Sequence, residues 1–129
     1  MDVNKTEDLV FKIVGAATTV HNVIGHGLRE KTYERALAVE FQHLGISYNQ
    51  QHRYPVLYRD IKVDEYIPDL EVEDLIVVDT KVVEKIHDDD IGQIINYLKI
   101  TGKATGLILN FKHPKLEWRK VTYNPSSAS

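Results

Sequence analysis

Two aspartates and a lysine stand out from the apolar segments that carry them. Asp79-Thr80-Lys81 follows Leu75-Ile76-Val77-Val78 and precedes Val82-Val83. In an extended strand Asp79 and Lys81 point to the same face, roughly 6.6 Å apart along the chain. A carboxylate and an ammonium in so apolar a stretch are costly to bury unless they pair or hold a metal ion. Pro68-Asp69 puts a further acid into the preceding apolar strand. A three-residue loop at Val72-Glu73-Asp74 sets Glu71 opposite Leu75 and Asp69 opposite Val77, on the face of Asp79 and Lys81. A two-residue loop sends Asp69 to the other face unless a bulge restores the register. Two converging carboxylates offer hard oxygen ligands to Mg²⁺ or Mn²⁺. A lysine beside them orients or deprotonates a water, or stabilises charge on a phosphate. The same three residues can equally make a plain salt bridge, and their types alone leave both readings open.

Two further polar side chains fall at helical spacing. Glu30 lies three residues before Tyr33 and seven before Leu37, on a stripe expected to face the sheet, where an acid needs a metal or Lys81 as partner. As a first-turn glutamate it also answers the helix dipole. Gln93 and Tyr97 share one helix edge, so Gln93 can reach a site water or a phosphate, or close a capping box back to Asp90. His21 is expected to be a packed, hydrogen-bonded imidazole. The remaining histidines show no metal-binding spacing, and there is no Walker A loop, dinucleotide fingerprint or nucleophile elbow.

The elements that must position these groups follow from periodicity. Thr6 is the expected N-cap of a first helix carrying Leu9, Ile13, Ala16 or Ala17, Val20 and Ile24, stopped by Gly25 and Gly27. A second helix is expected over Leu28 to Leu44, with Tyr33, Leu37, Phe41 and Leu44 buried and Gly45 as its end. From Ile46 the period becomes two: Tyr54 to Tyr58, a turn at Arg59-Asp60, then Ile61 onward through Val72. Leu75 to Val78 reads as a strand covered on both faces. A helix starting at Asp88-Asp89-Asp90 ends at Gly102, Gly106 to Phe111 is a buried strand, and Leu116 to Tyr123 an edge strand. The expected order is α-α-β-β-β-α-β-β, an α/β (α+β) fold with a mixed sheet and helices against its faces. One domain is expected over residues 1–123, followed by a flexible polar tail over 124–129.

Composition narrows the function classes. The 129 residues contain 43% hydrophobic and 27% charged side chains, an ordinary globular mixture. With no cysteine there is no disulfide, thiolate zinc site or cysteine nucleophile, which fits a reducing, cytoplasmic setting. No apolar run approaches a membrane span, and MDVNKTED lacks the regions of a signal peptide. The net charge of −3 excludes a polybasic nucleic-acid coat. Charge is nonetheless segregated. Residues 60–90 hold eight Asp and four Glu against three Lys, a balance of −9. Residues 99–120 hold Lys99, Lys103, Lys112, Lys115, Arg119 and Lys120 against Glu117 alone, a balance of +5. A cation site beside an anion-binding face fits that division, as do two solvated faces of opposite sign.

The segment Gly27-Leu28-Arg29-Glu30-Lys31-Thr32-Tyr33 resembles the signature of the GxxExxY protein family, which is grouped with the PD-(D/E)XK nuclease superfamily. The likeness runs from about Leu9 to Val121. It takes in Val20-His21, Pro68-Asp69, Asp79-Thr80-Lys81, the segment QIINYL from Gln93 to Leu98, and Gly106 to Phe111. The resemblance implies a restriction-endonuclease-like core. It assigns metal binding to Asp69 and Asp79, the attacking water to Lys81, an assisting role to Glu30, and a site role to Gln93. The family more usually carries Glu-Leu-Lys where this chain has Asp79-Thr80-Lys81. The expected activity is Mg²⁺- or Mn²⁺-dependent phosphodiester hydrolysis, with DNA as the first candidate substrate. The Thr80 backbone carbonyl would be a further metal ligand, Glu30 would hold a second ion or a water, and the six basic residues of 99–120 would contact phosphates. With a net negative domain, binding is expected to be weak, and a homodimer or a protein partner would strengthen it. The alternative is a nuclease fold that serves as a catalytically weak or inactive binding or assembly module.

Overall fold

The computed structural model describes residues 3–124. Helix α1 (Val3–Ile24) buries Leu9, Val10, Ile13, Ala16, Ala17 and Val20 on one stripe. It begins before Thr6, which lies buried inside the helix rather than capping it, because no glycine or proline precedes it to stop the turn. Helix α2 (Glu30–Leu44) starts two residues later than expected, since Arg29 is still extended at φ −85°, ψ 161°. Gly45 ends it at φ 71°, a left-handed conformation that glycine adopts without a Cβ clash.

The strands are β1 (Tyr48–Asn49), β2 (Tyr54–Tyr58), β3 (Ile61–Tyr66), β4 (Leu70–Val72), β5 (Ile76–Lys81), β6 (Thr105–Asn110) and β7 (Glu117–Thr122), with α3 (Asp88–Thr101) between β5 and β6. A five-stranded sheet runs β1-β4-β5-β6-β7; only β5 and β6 are parallel, joined by the α3 crossover. The second sheet is the β2–β3 hairpin alone, turned by Arg59 and Asp60 at φ 50° and 63°. This corrects the expected order in two places. The two-residue β1 lies in a stretch too short for any period to register. The run from Ile61 to Val72 breaks at Ile67-Pro68-Asp69, where Pro68 has no N–H for a ladder. The hairpin therefore leaves the main sheet, and Leu57, Tyr58, Ile61 and Val63 stay exposed on it.

Two apolar clusters cover the main sheet. On one face α1 and α2 pack on Leu70, Val72, Ile76, Val78, Leu107 and Leu109. On the other, Ile94 and Leu98 of α3 pack on Val77, Ile108 and Val121. No helix among the described residues is long and apolar enough to cross a membrane. Apart from Asn124, the expected polar tail lies outside the described residues.

Candidate active site

The β4–β5 turn decides where Asp69 stands. Glu73 and Asp74 take left-handed φ of 54° and 56°, and Leu75 N–H donates to the Val72 carbonyl at 2.9 Å. Leu75 is then an extra residue before pairing resumes at Val72↔Ile76, followed by Glu71↔Val77 and Leu70↔Val78. The register differs by two residues from the expected pairing of Glu71 with Leu75. An even shift preserves the face, so continuing one step past Leu70 brings Asp69 opposite Asp79. Alternation along β5 turns Asp79 and Lys81 with Val77 toward α3, and Thr80 with Val78 toward α1 and α2.

β4 begins only at Leu70, and Asp69, just before it, takes over the open edge of β5. Its Oδ2 accepts the Thr80 N–H at 3.0 Å and the Thr80 hydroxyl at 3.1 Å. Because the N–H and C=O of a strand residue point to the same edge, the Thr80 carbonyl opens on the Asp69 side. Asp79 is buried, and burial pushes its carboxyl up to about 7; Lys81 opposes the rise and Asp69 adds to it. Lys81 Nζ lies 3.3 Å from Asp79 Oδ2 as an ion pair, and that buried oxygen has no hydrogen-bond partner. Burial pulls the Lys81 ammonium down, but Asp79, then Asp90 and Glu30, outweigh it and hold it above the ordinary lysine range.

From α3, Gln93 Oε1 accepts a hydrogen bond from Lys81 Nζ at 2.9 Å, and Asp90 Oδ1 stands 3.9 Å from the same nitrogen. The capping contact belongs to Asp90, whose Oδ2 accepts the His87 N–H at 2.9 Å, so Gln93 faces the site instead. Glu30 requires a correction. It is the exposed first residue of α2, with Oε2 3.4 Å from the Val82 N–H, because the helix start projects past the sheet. The buried acid of α2 is Glu34, held by Lys31 at 3.1 Å and Gln50 at 3.2 Å. A tyrosine of the first turn of α2 positions the chain around it. Tyr33 donates to the Gly25 carbonyl at 2.7 Å, accepts the Leu28 N–H at 3.2 Å and stacks on Phe111 at 4.4 Å. It thereby holds the α1–α2 corner that delivers Glu30 to the end of β5.

Several neighbours of the site escape a reading of the sequence alone. Asp90 reads there only as a helix start. Tyr66 stacks on Tyr97 at 3.9 Å, and burial followed by Asp79 pushes both hydroxyls up. Glu71, two residues from Asp69 and so on its face, is fully buried among the Tyr54 hydroxyl, His52 Nδ1 at 3.0 Å and Lys103 Nζ at 3.9 Å. The i, i+2 spacing of two acids is the signal that could have found it. His21 is packed 5.8 Å from the Phe111 ring as expected, but its Nε2 has no hydrogen-bond partner.

The basic residues do not share a face. Lys120, paired in register with Leu107, reaches Glu7 of α1, whereas Arg119, paired with Ile108, lies on the α3 side. Lys103 is drawn to Glu71, and Lys112 lies 3.9 Å from Glu84. Lys99 sits over the Tyr123 ring at 5.8 Å, and Lys115 is exposed. A cavity of about 510 Å³ is lined by Phe11, Gly15, Leu44 and Ile46. Its lining includes none of Asp69, Asp79 and Lys81.

The donor set would suit a divalent cation: a strand carbonyl and two carboxylates, one of which has a buried oxygen with no hydrogen bond. Among the described residues no three His, Asp or Glu side chains converge as a complete cage. Neither the curated proteins nor the solved structures compared with this chain include a match. A family model described as the PD-(D/E)XK nuclease superfamily matches residues 7–121, and nucleases of that kind generally use divalent metal ions. The mixed sheet with Asp69 and Asp79-Thr80-Lys81 at the ends of adjacent strands, and the span of that match, place the chain in the PD-(D/E)XK nuclease superfamily.

Proposed function

We propose that the protein is a metal-dependent phosphodiesterase acting on nucleic acid, DNA in the first instance, and a member of the GxxExxY group within the superfamily. The observation that carries the reading is the convergence of Asp69, Asp79 and Lys81 at the open end of β5. Asp69, Asp79 and the Thr80 carbonyl would hold Mg²⁺ or Mn²⁺, and Glu30 would hold a water or a second ion at the rim. When bound, such a cation supplies a polarised water and neutralises charge developing on the phosphate. Lys81 is cationic at neutral pH, so its role is to orient the attacking water and stabilise the phosphate rather than to remove a proton. Gln93 fixes the direction of the ammonium through its amide oxygen. Lys99, Lys112, Lys115 and Arg119, all exposed, are the candidate phosphate contacts.

The test is Mg²⁺-dependent degradation of plasmid and linear DNA by the wild type, Lys81→Met and Asp79→Asn. Each substitution is expected to lower the rate roughly a hundredfold or more while circular dichroism is unchanged. Cleavage by both variants at the wild-type rate overturns the assignment. A second reading, a nuclease fold used as a non-catalytic binding or assembly module, is favoured by one observation: Lys81 itself neutralises Asp79. Titration with Mn²⁺ separates them, because a salt-bridged relic takes up no cation at Asp69 and Asp79.

A further inference from the structure

The Lys81 ammonium is approached from two elements. From β5 it meets Asp79 Oδ2 at 3.3 Å; from α3 it meets Gln93 Oε1 at 2.9 Å and Asp90 Oδ1 at 3.9 Å. Asp90 is itself anchored, since its other oxygen accepts the His87 N–H at 2.9 Å and closes the first turn of α3. A carboxylate already held by a helix cap has little rotamer freedom left to lose when it pairs. Side-chain exposures of 16% for Lys81 and 20% for Asp90 leave the pair only weakly screened by solvent. Gln93 lies one turn further along the helix, so both groups project from the same end of α3 toward the lysine.

We propose that Asp90 is the positioning residue for Lys81: with Gln93 it forms a seat on α3 that keeps the ammonium over the paired aspartates independently of Asp79. When Asp79 gives its oxygens to a cation, Lys81 retains this seat and stays where a phosphate would lie. Only that consequence rests on the proposed cation site; the seat itself does not.

Asp90→Asn and Asp90→Gln both keep an acceptor for the His87 N–H and remove the charge, so either can serve if the other fails to fold. The first measurement, in metal-free protein, is the rate at which limiting acetic anhydride acetylates Lys81. It is read by mass spectrometry against Lys112 and Lys115. The neutral variants are expected to raise the Lys81 rate several-fold with the reference lysines unchanged, and Asp90→Glu is expected to restore it. An unchanged Lys81 rate overturns the seat. The second measurement is a double-mutant cycle of Mn²⁺ affinity with Lys81→Met. Asp90→Asn is expected to weaken Mn²⁺ about tenfold when Lys81 is present, and much less in the Lys81→Met background. Equal losses in both backgrounds mean that Asp90 acts on the cation directly, which overturns the positioning role. A wild type that binds no Mn²⁺ while the acetylation contrast holds overturns the cation reading and leaves the seat standing.

Discussion

Asp79 is held near neutrality by its surroundings. Burial removes the water that would stabilise its charge, Lys81 returns part of that stabilisation, and Asp69 works against it. The carboxyl moves from an ordinary value of 3.8 to about 7 on folding, so the folded chain binds this proton more tightly than the unfolded one. The stability it contributes is complete below the ordinary value and is lost as pH rises through about 7. Asp79→Asn removes the titration. The stability of the wild type relative to that variant is therefore expected to fall between about pH 5 and about pH 8, by an amount on the order of a few kcal/mol. Urea denaturation of both proteins at the two pH values measures it; a difference that does not change with pH means that Asp79 ionises like an ordinary acid. At this scale Asp69, Asp79, Lys81 and Gln93 were legible in the sequence, because charged or amide groups within apolar or periodic segments identify themselves. Glu30 was legible as a residue but not in its placement: helical spacing put it on the buried stripe, while the end of the helix carries it beyond the sheet and leaves Glu34 as the buried acid.

Helix α3 links the packing of the sheet to the geometry at Lys81. It lies so close to β6 that a Cβ at Gly106 would stand 2.7 Å from Ile94 Cδ1 and 2.9 Å from Ile94 Cγ1. Only glycine admits that approach, and the same helix carries Asp90 and Gln93 to the lysine. Gly106→Ala is expected to cost about 1–3 kcal/mol through overpacking, and Ile94→Val in the same chain to recover part of it. Urea midpoints of the single and double variants give the answer; full stability in Gly106→Ala alone would mean that Ile94 has room to rotate away. A second linkage lies in the loop after Lys81. Asn110 accepts the Val83 N–H at 3.1 Å and donates to the Val83 carbonyl and to Glu117 at 2.8 Å each, so β6 and β7 hold the chain between β5 and α3. The helices, their glycine stops and the central strand were readable from periodicity. The separate β2–β3 hairpin was not, because its alternating pattern is that of a sheet strand even though its apolar side chains stay exposed.

Across the whole molecule, charge is segregated along the chain more sharply than in space. The −9 of residues 60–90 and the +5 of residues 99–120 adjoin in sequence, yet the basic groups divide between the two faces of the sheet, and Lys103 and Lys120 are taken up by Glu71 and Glu7. On the proposed reading, about four exposed cations remain for phosphates. Affinity for a labelled duplex is then expected to fall roughly a hundredfold between about 50 and 200 mM salt. Fluorescence anisotropy measures the slope, and salt-independent binding would exclude these residues as the contacts. The sequence by itself determined the helices, the central strand, the Asp69–Asp79–Lys81 group and the family resemblance, since apolar period, glycine stops and misplaced charges are all local signals. Only the tertiary structure decided that the β4–β5 register is shifted by two residues, that Pro68 frees a hairpin from the sheet, that Asp90 reaches Lys81, and that the lysines face apart. Each of these depends on which distant strand or helix becomes a neighbour, and long-range pairing leaves no periodic trace in the residues it joins.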